Sequence, residues 1–198
     1  MILDAEKLRD RLPRVTDIIA AANITPRYKE GDYLAIGTAV DIGCRFLFQG
    51  HKLADLESVD GRVMPYLISL ELWLHATGFK AEAIQPEYTS KRHGYICHPD
   101  VLDGNVWLLD SKTGGKYKWH RLQTISYKVA ANEQDDRVWV QRRGSLYLQK
   151  DGSIAKLDEH RPEDDSADWN AFLSAKRLYD ANLELDRYRQ NLKTWMEN

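Results

Sequence analysis

The sequence predicts an α/β or α+β domain, a small central mixed sheet flanked by helices. Three observations predict it. Helical periodicity dominates both ends of the chain, while the middle breaks into short apolar runs separated by turn residues. The 198 residues are also 43% hydrophobic, enough to bury one core. No internal repeat or Gly/Ser-rich linker divides the chain. Residues 1–198 therefore read as a single domain, with a central unit over about 33–132 and further strands and a long helix over 138–198.

The elements follow in order. Leu3 to Ala22 looks helical but is broken by Pro13, and a loop with Pro26 and Gly31 follows. Tyr33 to Phe48 reads as a helix with Ile36, Val40, Cys44, Leu47 and Phe48 on one stripe. A second helix runs from about Arg62 to His75 on Leu67, Leu70 and Leu74, with Gly78 just past its end. Phe79 to Tyr88, Gly94 to Leu102 and Val106 to Thr113 read as strands. Asp103-Gly104-Asn105 between the last two favours a hairpin, and Gly114-Gly115 ends it. A helix from about Lys116 to Ala131 presents Leu122, Ile125 and Val129 as its inward stripe. Val138 to Leu157 suggests two or three short strands turning near Arg143-Gly144 and Asp151-Gly152. Trp169 to Met196 is a long helical pattern carrying Phe172, Leu173, Tyr179, Leu183 and Trp195.

Composition narrows the function classes. Charged residues make up 29% and no apolar run approaches the roughly 20 residues needed to span a bilayer, so a soluble cytoplasmic protein with no membrane partner is expected. Residues 1–14 are charged and lack the apolar core of a signal peptide. Cys44 and Cys97 are expected to be free buried thiols, too few for a four-thiolate cluster or a zinc knuckle. The net charge of −2 does not advertise a nucleic-acid binder, but its distribution does more. Ser111 to Asn132 contains no acid and holds Lys112, Lys116, Lys118, Arg121 and Lys128, whereas Asp158, Glu159, Glu163, Asp164, Asp165 and Asp168 gather later. A basic patch suits phosphates, although most charge runs are solvated faces.

The chemistry concentrates on the hairpin. With a three-residue loop, Leu102 faces Val106 and Asp100 faces Leu108. Period-two alternation then puts Asp100, Leu108, Asp110 and Lys112 on one face, where two carboxylates can share a cation. For any one acid the alternative is an Asp–Lys ion pair at a strand end. Buried charges of this kind are costly unless something binds them. Asp110-Ser111-Lys112 is the one acid-x-Lys of its kind on an apolar strand in this chain, and Pro99-Asp100 precedes it at hairpin spacing.

These residues resemble the PD-(D/E)XK nuclease superfamily, whose signature is read in Pro99-Asp100 and Asp110-Ser111-Lys112. Gln123-Thr124-Ile125-Ser126-Tyr127 resembles the Gln-x-x-x-Tyr motif of its RecB-like and phage exonuclease branch, with Gln123 and Tyr127 on one helical face away from Leu122 and Val129. Gly37-Thr38-Ala39-Val40-Asp41 is similar to that branch's Gly-Thr-x-x-His, with Asp41 where His is usual. Glu87 resembles the acid on the strand before the hairpin, and Leu12 to Ile19 the opening of phage-type members.

The resemblance implies a restriction-endonuclease-like core and a metal-dependent DNA exonuclease working in recombination, repair or DNA degradation. Asp100, Asp110, the Ser111 carbonyl and Asp41 would hold Mg²⁺ or Mn²⁺, since hard oxygens select such ions. Lys112 would orient the nucleophile and stabilise developing charge, with Glu87 beside the site. Gln123 and Tyr127 would position DNA, and Lys116, Lys118, Arg121 and Lys128 would hold phosphates. Trp119 is the best candidate for base stacking, whereas Trp107 and Trp139 read as core. His98 reads as a hydrogen-bonded strand residue, and the other five histidines lack ligand spacing. DNA is the implied substrate, with room for a single-strand annealing or other recombination protein as partner and for homo-oligomers. The competing readings are an endonuclease of the same fold and a non-catalytic DNA-binding module.

Overall fold

A computed structural model describes residues 12–25, 32–56, 58–104, 106–134 and 139–197. The expected helical segment before Leu12, the Pro26–Gly31 loop, Asn105 and Val138 lie outside the described residues. The helices are α1 (Val15–Ala21), α2 (Asp32–Phe48), α3 (Met64–Thr77), α4 (Trp119–Gln134) and α5 (Asp165–Glu197). The strands are β1 (Ala83–Ile84), β2 (Tyr88–Ser90), β3 (Tyr95–Cys97), β4 (Val101–Asp103), β5 (Trp107–Lys112), β6 (Arg142–Tyr147) and β7 (Lys156–His160).

β1, β4, β5, β6 and β7 form a mixed sheet in that order, while β2 and β3 pair separately. The β5–β6 pair is parallel and the others are antiparallel. A parallel pair needs a crossover, and α4 supplies it. Alternation along β5 sorts the core. Leu108 packs with Val15, Ile18, Ile125, Tyr127 and Phe172, whereas Leu109 packs with Val40, Cys44, Leu67 and Leu70. Thus α1, α4 and α5 cover one face, and α2 and α3 the other. Both cysteines are free and buried.

The structure corrects several expectations. Leu102 pairs with Leu108, and Asp103 with Trp107, so the hairpin register sits two residues from the expected one. The three-residue loop moves one place along the chain and is held by Asp103, whose carboxylate accepts the Trp107 N–H at 2.6 Å and whose carbonyl accepts the Val106 N–H. A shift of two preserves alternation, so the face containing Leu108 and Asp110 survives. Phe79 to Tyr88 is not one strand: Gln85 has φ 46° and Pro86 follows, ending β1. Gly94 to Leu102 is split at His98-Pro99-Asp100, where proline has no ladder donor and the chain passes from one sheet to the other.

Arg143-Gly144 lies inside β6 instead of at a turn. Gly144 serves close approach there, because a Cβ would come 2.9 Å from both the Asp158 carbonyl oxygen and Leu157 Cδ1. On α4, Ile125 is buried but Leu122 and Val129 are only half-buried, and the covered surface includes Gln123, Thr124 and Tyr127. The helix lies between the sheet and α1 and α5, so its burial is not a single apolar stripe. Trp139 is 66% exposed, not core, and Trp107 is half-buried under the Arg142 guanidinium, 4.0 Å from the ring centroid. Among the described residues no helix is long and apolar enough to cross a membrane.

Candidate active site

The interruption between β3 and β4 at Pro99 and the β4–β5 register set the first two acids. Val101 pairs with Leu109, so one further step places Asp100 opposite Asp110. The Ser111 N–H donates to Asp100 Oδ2 at 2.6 Å, fixing that carboxylate across the hairpin. A cavity of about 230 Å³ opens here, lined by Asp41, Cys44, His98, Asp100, Asp110, Ser111, Lys112, Gln123 and Tyr127 among others.

Asp110 is buried, and its Oδ2 ion-pairs with the Lys112 ammonium two residues on. The Lys112 ammonium also donates to Gln123 Oε1 at 2.7 Å, and Gln123 Nε2 donates to the Tyr127 hydroxyl at 2.6 Å. The helical spacing of four brings Gln123 and Tyr127 together, and both are buried. Burial and the nearby Asp110 charge push the Tyr127 hydroxyl well above its ordinary range, so it stays protonated.

Negative charge is in excess around Asp100. Burial, then Asp110, pushes its carboxyl up to about 8, against the opposing pull of Lys112 and the Ser111 N–H. Burial and the charges of Asp100 and Asp41 likewise push the Cys44 thiol up. Asp41 enters the cavity from α2 but is engaged, ion-paired with Arg45 and accepting from Gln85 Nε2 at 2.8 Å. Among the described residues no group of three or more His, Cys, Asp or Glu side chains is gathered so as to hold a metal. Within the cavity the oxygen donors on offer are the Asp100 and Asp110 carboxylates, with Asp41 beyond them.

Glu87 does not line the cavity; it sits 3.0 Å from His98 Nε2, and His98 does line it. Trp119 is half-buried, with the Lys112 ammonium 5.5 Å from its ring centroid and Tyr117 stacked beside it. It therefore packs behind the lysine instead of standing free for a base, and Tyr117 is the more exposed ring.

The basic segment is largely neutralised. Lys116 pairs with Asp158 at 2.5 Å, Arg121 with Asp164 at 2.8 Å and Asp168 at 3.0 Å, and Lys128 with Asp165 at 2.8 Å. Of these cations Lys118 alone has no carboxylate partner among the described residues. The expected free phosphate patch is thus reduced, because the acids of residues 158–168 fold onto it.

Sequence reading missed three supports. Gln85 holds Asp41. His120, buried behind Lys112, bonds the Tyr147 hydroxyl through Nδ1 at 2.7 Å, and burial followed by the Lys112 charge pushes it down to about 3. Arg143 is fully buried and donates to Asp165, Asp168, Thr124 Oγ1, the Arg121 carbonyl and His160 Nδ1. The signal for Arg143 was its place inside a β-rich run; the neighbouring glycine disguised it as a turn.

No protein-family model matches this sequence, and no curated protein matches it significantly. Solved structures do. The chain is similar to a protein of Eubacterium rectale provisionally designated an exonuclease, with TM-score 0.62 and 11% identity over 91% of this chain and 88% of that one. Looser overlays, at TM-scores 0.39 and 0.41, are with an alkaline exonuclease of Laribacter hongkongensis, alone (16% identity, 95% of this chain and 100% of that one) and with dAMP (15% identity, 96% and 100%). The first overlay shows the fold alone, a mixed sheet flanked by helices.

Proposed function

We propose that the chain is a metal-dependent deoxyribonuclease that degrades DNA from its ends. One observation carries the reading. Asp100, Asp110 and Lys112 meet Gln123 and Tyr127 around a single cavity on a fold shared with a designated exonuclease.

The residues fit a hard divalent cation. Asp100 is held under an excess of negative charge that a cation would relieve. The two carboxylates offer hard oxygen donors, which suits Mg²⁺ or Mn²⁺. Asp100 and Asp110 would hold the ion with the Ser111 carbonyl, and Asp41 could join only by leaving Arg45 and Gln85. Such an ion supplies charge neutralisation and polarises a phosphoryl group.

The protein's own part is positioning. Lys112 is tethered between Asp110 and Gln123, so its ammonium is held at the cavity instead of sweeping through solvent. There it can orient a water for attack and stabilise the negative charge that grows on the phosphoryl oxygens. Gln123, itself bonded to Tyr127, acts on the reaction through Lys112. Lys118 can meet phosphate directly, whereas Lys116, Arg121 and Lys128 must first exchange their carboxylates.

The test is digestion of end-labelled linear, covalently closed circular and single-stranded DNA with Mg²⁺, Mn²⁺ or EDTA. The expected result is metal-dependent loss of linear DNA with circles spared. Rapid nicking of circles would assign an endonuclease, and binding without cleavage would leave a DNA-binding module.

A further inference from the structure

α5 is 33 residues long, and only its first half is covered. Asp168, Phe172 and Ala175 are buried and Tyr179 is half-buried, all within an arc of roughly 60° at about 100° per residue. From Asp180 to Met196 every residue is exposed. That distal half rises roughly 25 Å, at about 1.5 Å per residue.

The distal half is nevertheless apolar along one line. Leu178, Leu185 and Leu192 recur every seven residues, and Ala181, Tyr188 and Trp195 follow each by three. These are the a and d positions of a heptad repeat. The five large side chains are 45% or more exposed, rising to 78% at Trp195. The stripe spans an arc of about 100° and lies roughly 140° around the helix from the face that packs on the domain. Leu183 continues the inner face, so the outer stripe cannot be a frayed extension of the existing contact.

We propose that this stripe is a self-association seam in which two copies of the chain pair their α5 helices in parallel. Two observations select a second copy in that orientation. First, Glu184 and Arg189 flank the seam at the g and e positions. In a parallel pair, g of one helix meets e of the next heptad on the other, so Glu184 faces Arg189 of the second copy twice per dimer. Arg189 now pairs with Asp186 at 3.0 Å within its own exposed helix, an interaction easily exchanged. Second, the domain lies on the opposite side of α5 from the seam, so a two-fold axis along the seam keeps both domains outside. The inference is independent of the nuclease reading.

Sedimentation equilibrium of the full chain at about 1–100 μM tests it, since a seam this short should give roughly micromolar affinity. The expected result is a monomer–dimer equilibrium. Leu185→Lys with Leu192→Lys should weaken it by at least about 100-fold, since two leucines per chain lose their burial. Both sites are exposed in the monomer, so the circular dichroism and thermal midpoint should hold. Glu184→Arg alone and Arg189→Glu alone should each weaken the dimer by about 3–10-fold, and the two together should restore it. A chain that stays monomeric at the highest concentration would overturn the proposal. So would a dimer indifferent to the leucine substitutions, or charge reversals that fail to compensate each other.

Discussion

The cavity and the basic segment share the stretch from Lys112 to Lys128, yet the fold treats them in opposite ways. In the cavity, residues close in sequence converge: Asp100 and Asp110 across one hairpin, Lys112 at the end of the same strand as Asp110, then Gln123 and Tyr127 on the next helix. Their charge is only partly satisfied. In the basic segment, Lys116, Arg121 and Lys128 look free along the chain but are met by acids some 37 to 47 residues later. Local motifs report the chemistry of a site, whereas a charge run reports nothing about its partners until the chain is folded. The cavity should govern rate, and the ion-paired region should govern stability.

The largest effect expected is on rate. Asp110→Asn should lower metal-dependent cleavage by about 10²–10⁴, the size of an electrostatic or acid–base contribution, in single-turnover assays. Cleavage at the wild-type rate would remove Asp110 from the site.

Next comes stability. Arg143→Met leaves Asp165 and Asp168 without their buried partner and should cost about 3–5 kcal/mol by urea denaturation. A cost near that of an ordinary surface change, about 0.5 kcal/mol, would mean that α5 docks without this cluster.

A smaller effect concerns pH. Burial, followed by the Arg143 charge, pushes His160 down to about 4, and His120 is pushed down to about 3. Their folded values lie below the ordinary 6.5, so the unfolded chain takes up protons first. Their contribution to stability is therefore full above about pH 6.5 and falls as pH drops toward 4. The raised Asp100 carboxyl works in the opposite sense, so in an Asp100→Asn background the thermal midpoint should decline between pH 7 and 4.5; a flat profile there would contradict the burial of both imidazoles.

The smallest effect separates the cations. Lys118→Ala should make the salt dependence of DNA binding shallower by up to about one unit in log–log slope, and Lys116→Ala by much less, because Asp158 already neutralises Lys116. Equal slopes would show that DNA displaces that carboxylate.

The same division explains what the sequence made legible. Asp100, Asp110 and Lys112 could be placed on one face because alternation tolerates a two-residue register shift but not a one-residue shift. The spacing of Gln123 and Tyr127 placed them together on α4, but burial inside the core was hidden, since both are polar-tipped and the expected inward stripe was aliphatic. Arg143 was illegible because its partners come from β7, α4 and α5 and none is local. Trp139 was misread because hydrophobicity alone does not say which face of an element is covered.

The most direct test of the central claim is cleavage of end-labelled linear DNA by the wild-type protein and by Lys112→Ala, with DNA affinity and thermal midpoint measured on both. Lys112 is tied to Asp110 and Gln123, so it stands at the junction of the acids and the helix motif. The account predicts Mg²⁺- or Mn²⁺-dependent cleavage that falls by about 10²–10⁴ in the variant, while affinity changes far less. Wild-type protein that binds DNA without metal-dependent cleavage, or a folded variant that cleaves as fast as wild type, would contradict it.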